Sequence, residues 1–164
     1  VQVARASGAG AVFVSEPAPA RGEAVLRLGA DAVVDPTKED VVSRMEALTS
    51  GNGPDVVFDC AGMGSTLDQA FNMVRHSGQV VLVAVPWEKI PLAPADWMAR
   101  EVTLQTTFGG RSEDFRIALD LIRRGEVSID NMVSEADFIP LEDIQRAFED
   151  LVKPTTQLQM VVKL

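Results

Sequence analysis

Histidine and cysteine are almost missing from this chain: His76 and Cys60 are the sole examples in 164 residues. One cysteine excludes an intramolecular disulfide and fits a reducing compartment, so a cytoplasmic location is expected. Neither C-x-x-C nor H-x-x-x-H occurs, so no recognisable zinc site can be assembled from these residues. Basic residues are outnumbered, 15 Lys and Arg against 24 Asp and Glu, for a net charge of −9. That balance speaks against a nucleic-acid partner or an anionic membrane surface. No apolar run approaches the ~18 residues of a membrane span, and no secretory signal pattern is visible. Internal repeats, low-complexity tracts and interdomain linkers are absent too, so a single domain is expected. There is no initiator methionine. Val1 to Ser7 has helical spacing without an N-cap before it, and Gly8 and Gly10 end it. We read it as the last two turns of a helix begun elsewhere, and the sequence as part of a longer protein.

The residues present are organised around Ala11 to Arg21. Ala11 to Val14 is an apolar run of the kind a buried parallel strand shows, rather than an alternation. It ends on one carboxylate, Glu16. Pro17 and Pro19 turn the chain, and Arg21 opens a helix to Leu28. An acid at the carboxyl end of such a strand can hydrogen-bond the adenosine ribose of a dinucleotide. The competing reading of Glu16 is a solvated turn carboxylate.

The rest of the chain repeats the strand–helix alternation. Ala32 to Val34 is a short strand stopped by Asp35-Pro36, and Thr37 is positioned to cap a helix from Glu39 to Leu48. Asp55 to Cys60 is a strand followed by Ala61-Gly62. Ser65 or Thr66 caps a helix to about Val74, and Gln79 to Val85 is the most apolar strand. A proline-interrupted loop leads to a short helix, Pro94 to Arg100, holding Trp97 and Met98. Val102 to Thr107 alternates apolar and polar residues. Ser112 caps a helix to Arg124, with Phe115, Ala118, Leu119 and Ile122 on one face. Pro140 opens a further helix carrying Ile144, Ala147, Phe148 and Leu151, and Gln157 to Leu164 is a last strand. Strands alternating with ~10-residue helices imply right-handed crossovers and an α/β, Rossmann-like, doubly wound, mostly parallel sheet.

Four stretches stand in order at close intervals: V-S-E-P-x-P-A-R, L-G-A-D-A-V-V-D-P, P-D-V-V-F-D-C-A-G and G-Q-V-V-L-V-A-V. Together with the tail F-I-P-L-E-D-I-Q-R-A-F-E-D-L, the set resembles the coenzyme-binding half and C-terminal tail of the medium-chain, zinc-type alcohol dehydrogenases. The polyol, sorbitol and butanediol dehydrogenases look most similar. The resemblance covers essentially all 164 residues. It implies an NAD-dependent enzyme that moves hydride from a zinc-bound secondary alkoxide to nicotinamide, with an alcohol as substrate. The family's zinc ligands belong to a preceding catalytic domain, and its glycine-rich turn would precede Val1. Zinc is therefore expected only outside this stretch, and activity is not expected from this stretch alone. Residues 157–164 could belong to the catalytic domain.

The resemblance also assigns roles. Glu16 would accept the ribose hydroxyls, which points to NAD rather than NADP, with Pro17 and Arg21 beside it. Arg21 complicates the choice, since it could also greet a phosphate. Cys60, Ala61 and Gly62 would form a turn lining the coenzyme, with Cys60 an inert, packed thiol. Val83, Ala84 and Val85 would run along the nicotinamide, and Thr107, Phe108 and Gly109 would close its other side. The family often has Arg or Lys near the start of the last strand. Here the neighbourhood is Gln157-Leu-Gln-Met160, between Lys153 and Lys163. His76 is expected at the surface.

Two expectations concern strand edges. The strand missing before Val1 would be central, leaving Ala11–Val14 and Val56–Phe58 each with an unpaired edge. Val102 to Thr107 should be an outer edge without a guarding proline or lysine. By resemblance, two subunits would pair these edges across a twofold axis, making a homo-oligomer. Two other functions remain open: an S-adenosylmethionine-dependent methyltransferase, which also uses an acid after its second strand but ends in an antiparallel hairpin, and a zinc-free, non-catalytic scaffold.

Overall fold

A computed structural model describes residues 1–130, 132–152 and 159–163. In chain order its elements are α1 (Gln2–Ala6), β1 (Phe13–Ser15), α2 (Pro19–Arg27), β2 (Ala32–Val34), α3 (Val41–Leu48), β3 (Val56–Asp59), α4 (Gly64–Met73), β4 (Gln79–Leu82), α5 (Pro94–Met98), β5 (Thr103–Thr106), α6 (Ser112–Arg123), β6 (Phe138–Pro140), α7 (Ile144–Leu151) and β7 (Val161–Lys163). They form two compact units. One joins Val1–Thr37 to Arg111–Leu164, and the other is Lys38–Gly110. The boundary falls inside what the sequence presents as one domain.

Every strand pair is parallel. In the first unit β1 pairs β2, with Phe13 opposite Ala32, and β6 pairs β7, with Phe138 opposite Val161. In the second, β3, β4 and β5 form a three-stranded sheet with Val56 opposite Gln79 and Gln79 opposite Thr103. Among the described residues β1 has no strand partner besides β2, and β3 none besides β4. β5 is an outer edge, also as expected.

The core of the second unit gathers Leu67, Ala70, Phe71 and Val74 of α4 and its exit with Val80 of β4. These helix positions follow the i, i+3, i+4, i+7 rule, so a single face of α4 is buried. Trp97 joins them: its ring stacks on Phe71 with centroids 4.5 Å apart. Arg100 closes the far end of α4 by donating to the carbonyls of Phe71 and Val74, satisfying acceptors that a helix C-terminus leaves open. One helix face, one stacked pair and one capping cation thus contribute to the packing of the Lys38–Gly110 unit, alongside the buried Val41 and Met45 of α3.

Several boundaries differ from the sequence reading, each for a local reason. Thr37 does not cap α3. Its N–H and hydroxyl both donate to Asp35, so it is spent on a turn, and Asp40 caps instead by accepting from the Ser43 N–H at 2.8 Å. Met63, not Ser65 or Thr66, is the N-cap of α4, with the Thr66 hydroxyl at the third position bonding back to it. Arg111, not Ser112, precedes α6, and Asp114 accepts the Arg111 N–H at 2.7 Å. α2 starts at Pro19, where the missing N–H costs nothing. Pro140 ends a strand, β6, that the sequence did not suggest; a 3-10 turn intervenes before α7. The face of α6 read as inward is exposed, Phe115 at 67% and Leu119 at 66%. The tail strand is described only from Val161 to Lys163; Lys153, Gln157, Leu158 and Leu164 lie outside the described residues.

Candidate coenzyme-binding site

Glu16 follows β1 directly, and its N–H donates to the Val34 carbonyl of β2, extending the ladder by one residue. Its side chain is 19% exposed. The Oε1 oxygen accepts the Ala18 N–H at 2.8 Å, which shapes the turn through Pro17 into α2. The same oxygen lies 3.1 Å from Nε of Arg21. Arg21 is thus an ion-pair partner of Glu16 and sits one turn into α2. Oε2 makes no hydrogen bond among the described residues, so the carboxylate keeps acceptor capacity. Gly22 is buried because a Cβ there would stand 3.2 Å from Val33, which brings the start of α2 close onto β2.

The remaining predicted residues all follow the carboxyl ends of β3, β4 and β5. Cys60, Ala61 and Gly62 make the turn after β3. Gly62 has φ +69°, and a Cβ on it would meet the Ala84 methyl at 3.0 Å. This turn therefore packs directly against the residues after β4. Val83 and Ala84 both donate to the Asp59 carbonyl, at 2.9 and 3.2 Å, which ends β4 and fixes Val83 to Val85 in place. Val83 and Val85 are exposed apolar residues. After β5, the Thr107 N–H donates to Leu82 at 3.2 Å. Phe108 is 90% exposed, and Gly109 has φ +64°.

One expectation needs correction here, and one residue was missed. Cys60 is exposed rather than packed. Its thiol pKa is pushed up, first by desolvation of the thiol and then by the adjacent Asp59 carboxylate, which disfavours the nucleophilic thiolate. Asp59 was not singled out from the sequence as more than the polar end of an apolar strand. It is one of the buried polar residues, and its carboxylate organises the Cys60–Gly62 turn. The signal that could have found it is an Asp two and three residues before small residues at a strand's end, the pattern of an Asx turn. His76 is exposed beside Ser77, as expected.

Among the described residues no cluster of three or more His, Cys, Asp or Glu could hold a metal ion. Zinc therefore does not fit the residues described. No helix among them is long and apolar enough to cross a membrane.

Comparison with known proteins bears on the family and the fold. The zinc-binding dehydrogenase family matches residues 1–124. (R,R)-butanediol dehydrogenase of Bacillus subtilis (strain 168) is 32% identical over 165 residues, 99% of this chain and 46% of its own length. The crystal structure of 2R,3R-butanediol dehydrogenase from Bacillus subtilis superposes with a TM-score of 0.88 at 31% identity, again over 99% of this chain and 46% of that one. A putative zinc-binding dehydrogenase from Sinorhizobium meliloti 1021, bound to NADP, gives a TM-score of 0.81 at 31% identity, over 99% of this chain and 47% of that one. The chain thus spans about half the length of the relatives it matches. The last two strands pair parallel, which also removes the antiparallel hairpin expected of a methyltransferase. With a profile match over three quarters of its length and a parallel α/β fold to go with it, the chain belongs to the zinc-binding dehydrogenase family.

Proposed function

We propose that residues 1–164 are the NAD-binding part of a dehydrogenase that oxidises a small secondary alcohol or polyol, with about residues 157–164 belonging to its catalytic domain. The observation that carries this reading is Glu16: a largely buried carboxylate at the carboxyl end of a parallel strand, with one oxygen unspent. Two neighbouring ribose hydroxyls are donors that such a group accepts well, and a 2′-phosphate would bring a second negative charge to it. A relative bound to NADP shows that family membership does not decide between the coenzymes, so the choice rests on this acid and its Arg21 partner.

The coenzyme also suits the second set of residues. Gly62 lets the turn rest on Ala84, and the carbonyls of Val83 to Val85 with the Val85 N–H are groups of the kind a carboxamide needs, the Val83 and Ala84 N–H groups being given to Asp59. When bound, NAD supplies the hydride acceptor. The chain's own part is to hold it: Glu16 orients the ribose, Cys60–Gly62 and Val83–Val85 present backbone, and the apolar Val83, Val85 and Phe108 exclude water from a nicotinamide ring. No step is assigned to a metal, because the described residues offer no ligands for one.

The test is direct. In the intact protein, NAD and NADP affinities are measured by titration, followed by NADH formation with a panel of secondary alcohols and vicinal diols. NAD is expected to bind more tightly, with turnover on at least one alcohol. Residues 1–164 alone, given NAD, zinc and the same panel, are expected to yield no NADH absorbance above blank. Turnover by that polypeptide after chelation and repurification would refute the division of labour.

A further inference from the structure

Asp59, the last residue of β3, is only 4% exposed. Burying a carboxylate is costly unless its hydrogen bonds are made. Its Oδ1 accepts three, from the N–H groups of Ala61 at 2.9 Å and Gly62 at 3.1 Å and from the Thr66 hydroxyl at 3.1 Å. The first two curl the chain after β3 into its turn, and the third ties that turn to the first turn of α4. The residue's own carbonyl accepts from Val83 and Ala84 after β4. One residue therefore grips both segments. Gly62 completes the joint, because its hydrogen in place of a methyl lets the turn rest on Ala84.

The joint draws on Oδ1 and the main-chain carbonyl alone. Asn or Ser caps such a turn without a buried charge. Here the second oxygen, Oδ2, is buried and has no hydrogen-bond partner among the described residues.

We propose that Asp59 is a positioning residue for the nicotinamide end of the coenzyme. It sets the spacing between Cys60–Gly62 and Val83–Val85, and acts only through their backbone. The proposal rests on the reading of those two segments as coenzyme-lining.

The experiment compares two ligands in the intact protein. NADH carries a nicotinamide, whereas ADP-ribose lacks it. Asp59→Ala is expected to lower NADH affinity about tenfold, the scale of losing hydrogen bonds to a charged group, and to leave ADP-ribose within twofold. Asp59→Asn keeps an Oδ1 acceptor and should restore the wild-type ratio of the two affinities. A role confined to folding would weaken both ligands together. Equal losses in Asp59→Ala, or an unchanged NADH affinity, overturn the proposal. Should that variant fail to fold, Thr66→Val decides: it removes one of the three donors, and NADH alone should weaken two- to fivefold. Parity between the ligands in Thr66→Val overturns the proposal as well. Ala61→Leu separates the premise from the proposal, since Ala61 is exposed and the change keeps its N–H bond to Asp59. If it leaves the NADH to ADP-ribose ratio unchanged, the segments do not line the coenzyme and the proposal falls with them. If it shifts the ratio while Asp59→Ala does not, the assignment to Asp59 alone is wrong.

Discussion

Replacing Glu16 with alanine should change which coenzyme the intact protein prefers. The carboxylate carries two internal contacts, to the Ala18 N–H and to Arg21, both on Oε1. Ribose hydroxyls would bond mainly to Oε2, and hydrogen bonds to a charged acceptor are worth about 1–3 kcal/mol, so NAD affinity should fall roughly 5- to 150-fold. NADP should respond differently. Its 2′-phosphate no longer meets a like charge, and Arg21 is released. Arg21 is about half exposed, so its pairing with Glu16 contributes only ~0.2–1 kcal/mol, and little holds it back from a phosphate. Together the preference should swing by about 2–4 kcal/mol, or roughly 30- to 1000-fold. Glu16→Gln keeps an acceptor for Ala18 and removes the charge, so it separates the turn from the electrostatics. Arg21→Ala should leave NAD nearly unchanged and weaken NADP. Fluorescence titration with NADH and NADPH at low and physiological salt gives all four affinities. A Glu16→Ala protein that keeps its wild-type NADH to NADPH ratio would show that Glu16 merely shapes the turn.

Three further outcomes are expected. Thr103 and Thr107 donate inward to Gly78 and Leu82, so alternation leaves the Leu104 and Thr106 N–H groups facing the open edge of β5. If two subunits join through that edge, Thr106→Pro should shift sedimentation from dimer to monomer and spare NAD binding, whereas Leu104 packs on the core and would confuse the test; a Thr106→Pro dimer places the interface elsewhere. Gly53 has φ +79°, and a Cβ there would stand 2.3 Å from the Met73 carbonyl, so Gly53→Ala should cost about 2–3 kcal/mol and lower Tm by about 5–10 °C, and an unchanged Tm refutes the contact. The carboxyls of Asp31, Asp40, Glu113 and Asp114 lie below their usual range, chiefly through the Val12, Ser43 and Arg111 N–H groups and, for Glu113, the Arg116 side chain. Their folded pKa is depressed, so the stability they supply is complete above the unfolded value and is lost as pH falls through the folded one; Tm should be level near neutrality and decline below about pH 4. A Tm that holds to about pH 2.5 contradicts this.

The alternation of strands and helices was legible because buried parallel strands such as Val80-Val81 are apolar on both faces and helix α4 repeats its apolar residues at the helical period. Helix starts were less so. A side-chain oxygen has several possible donors within three residues, and Thr37 was claimed by Asp35 before α3 could use it. The strand at Phe138 was hidden by Pro140, which a sequence reader assigns to a helix start, yet a proline closes a strand equally well. Glu16 was visible as the single acid ending an apolar run. Asp59 was not, because its importance lies in the three donors it collects, two of them backbone groups whose direction no sequence reveals.

The side chain of Gln2 both donates to the Ser128 carbonyl at 2.9 Å and accepts the Ser128 N–H at 2.8 Å. This clasp joins residues 126 positions apart. Closing a chain loop of that length from the unfolded state costs about 4 kcal/mol in entropy, on a (3/2)RT ln n scale. The contiguous stretch Lys38–Gly110 lies wholly inside the loop and needs no such closure for its own contacts. The order of assembly then follows from connectivity: the middle of the polypeptide gains protection from hydrogen exchange first, and during synthesis α1 waits, unclasped, until residue 128 has left the ribosome.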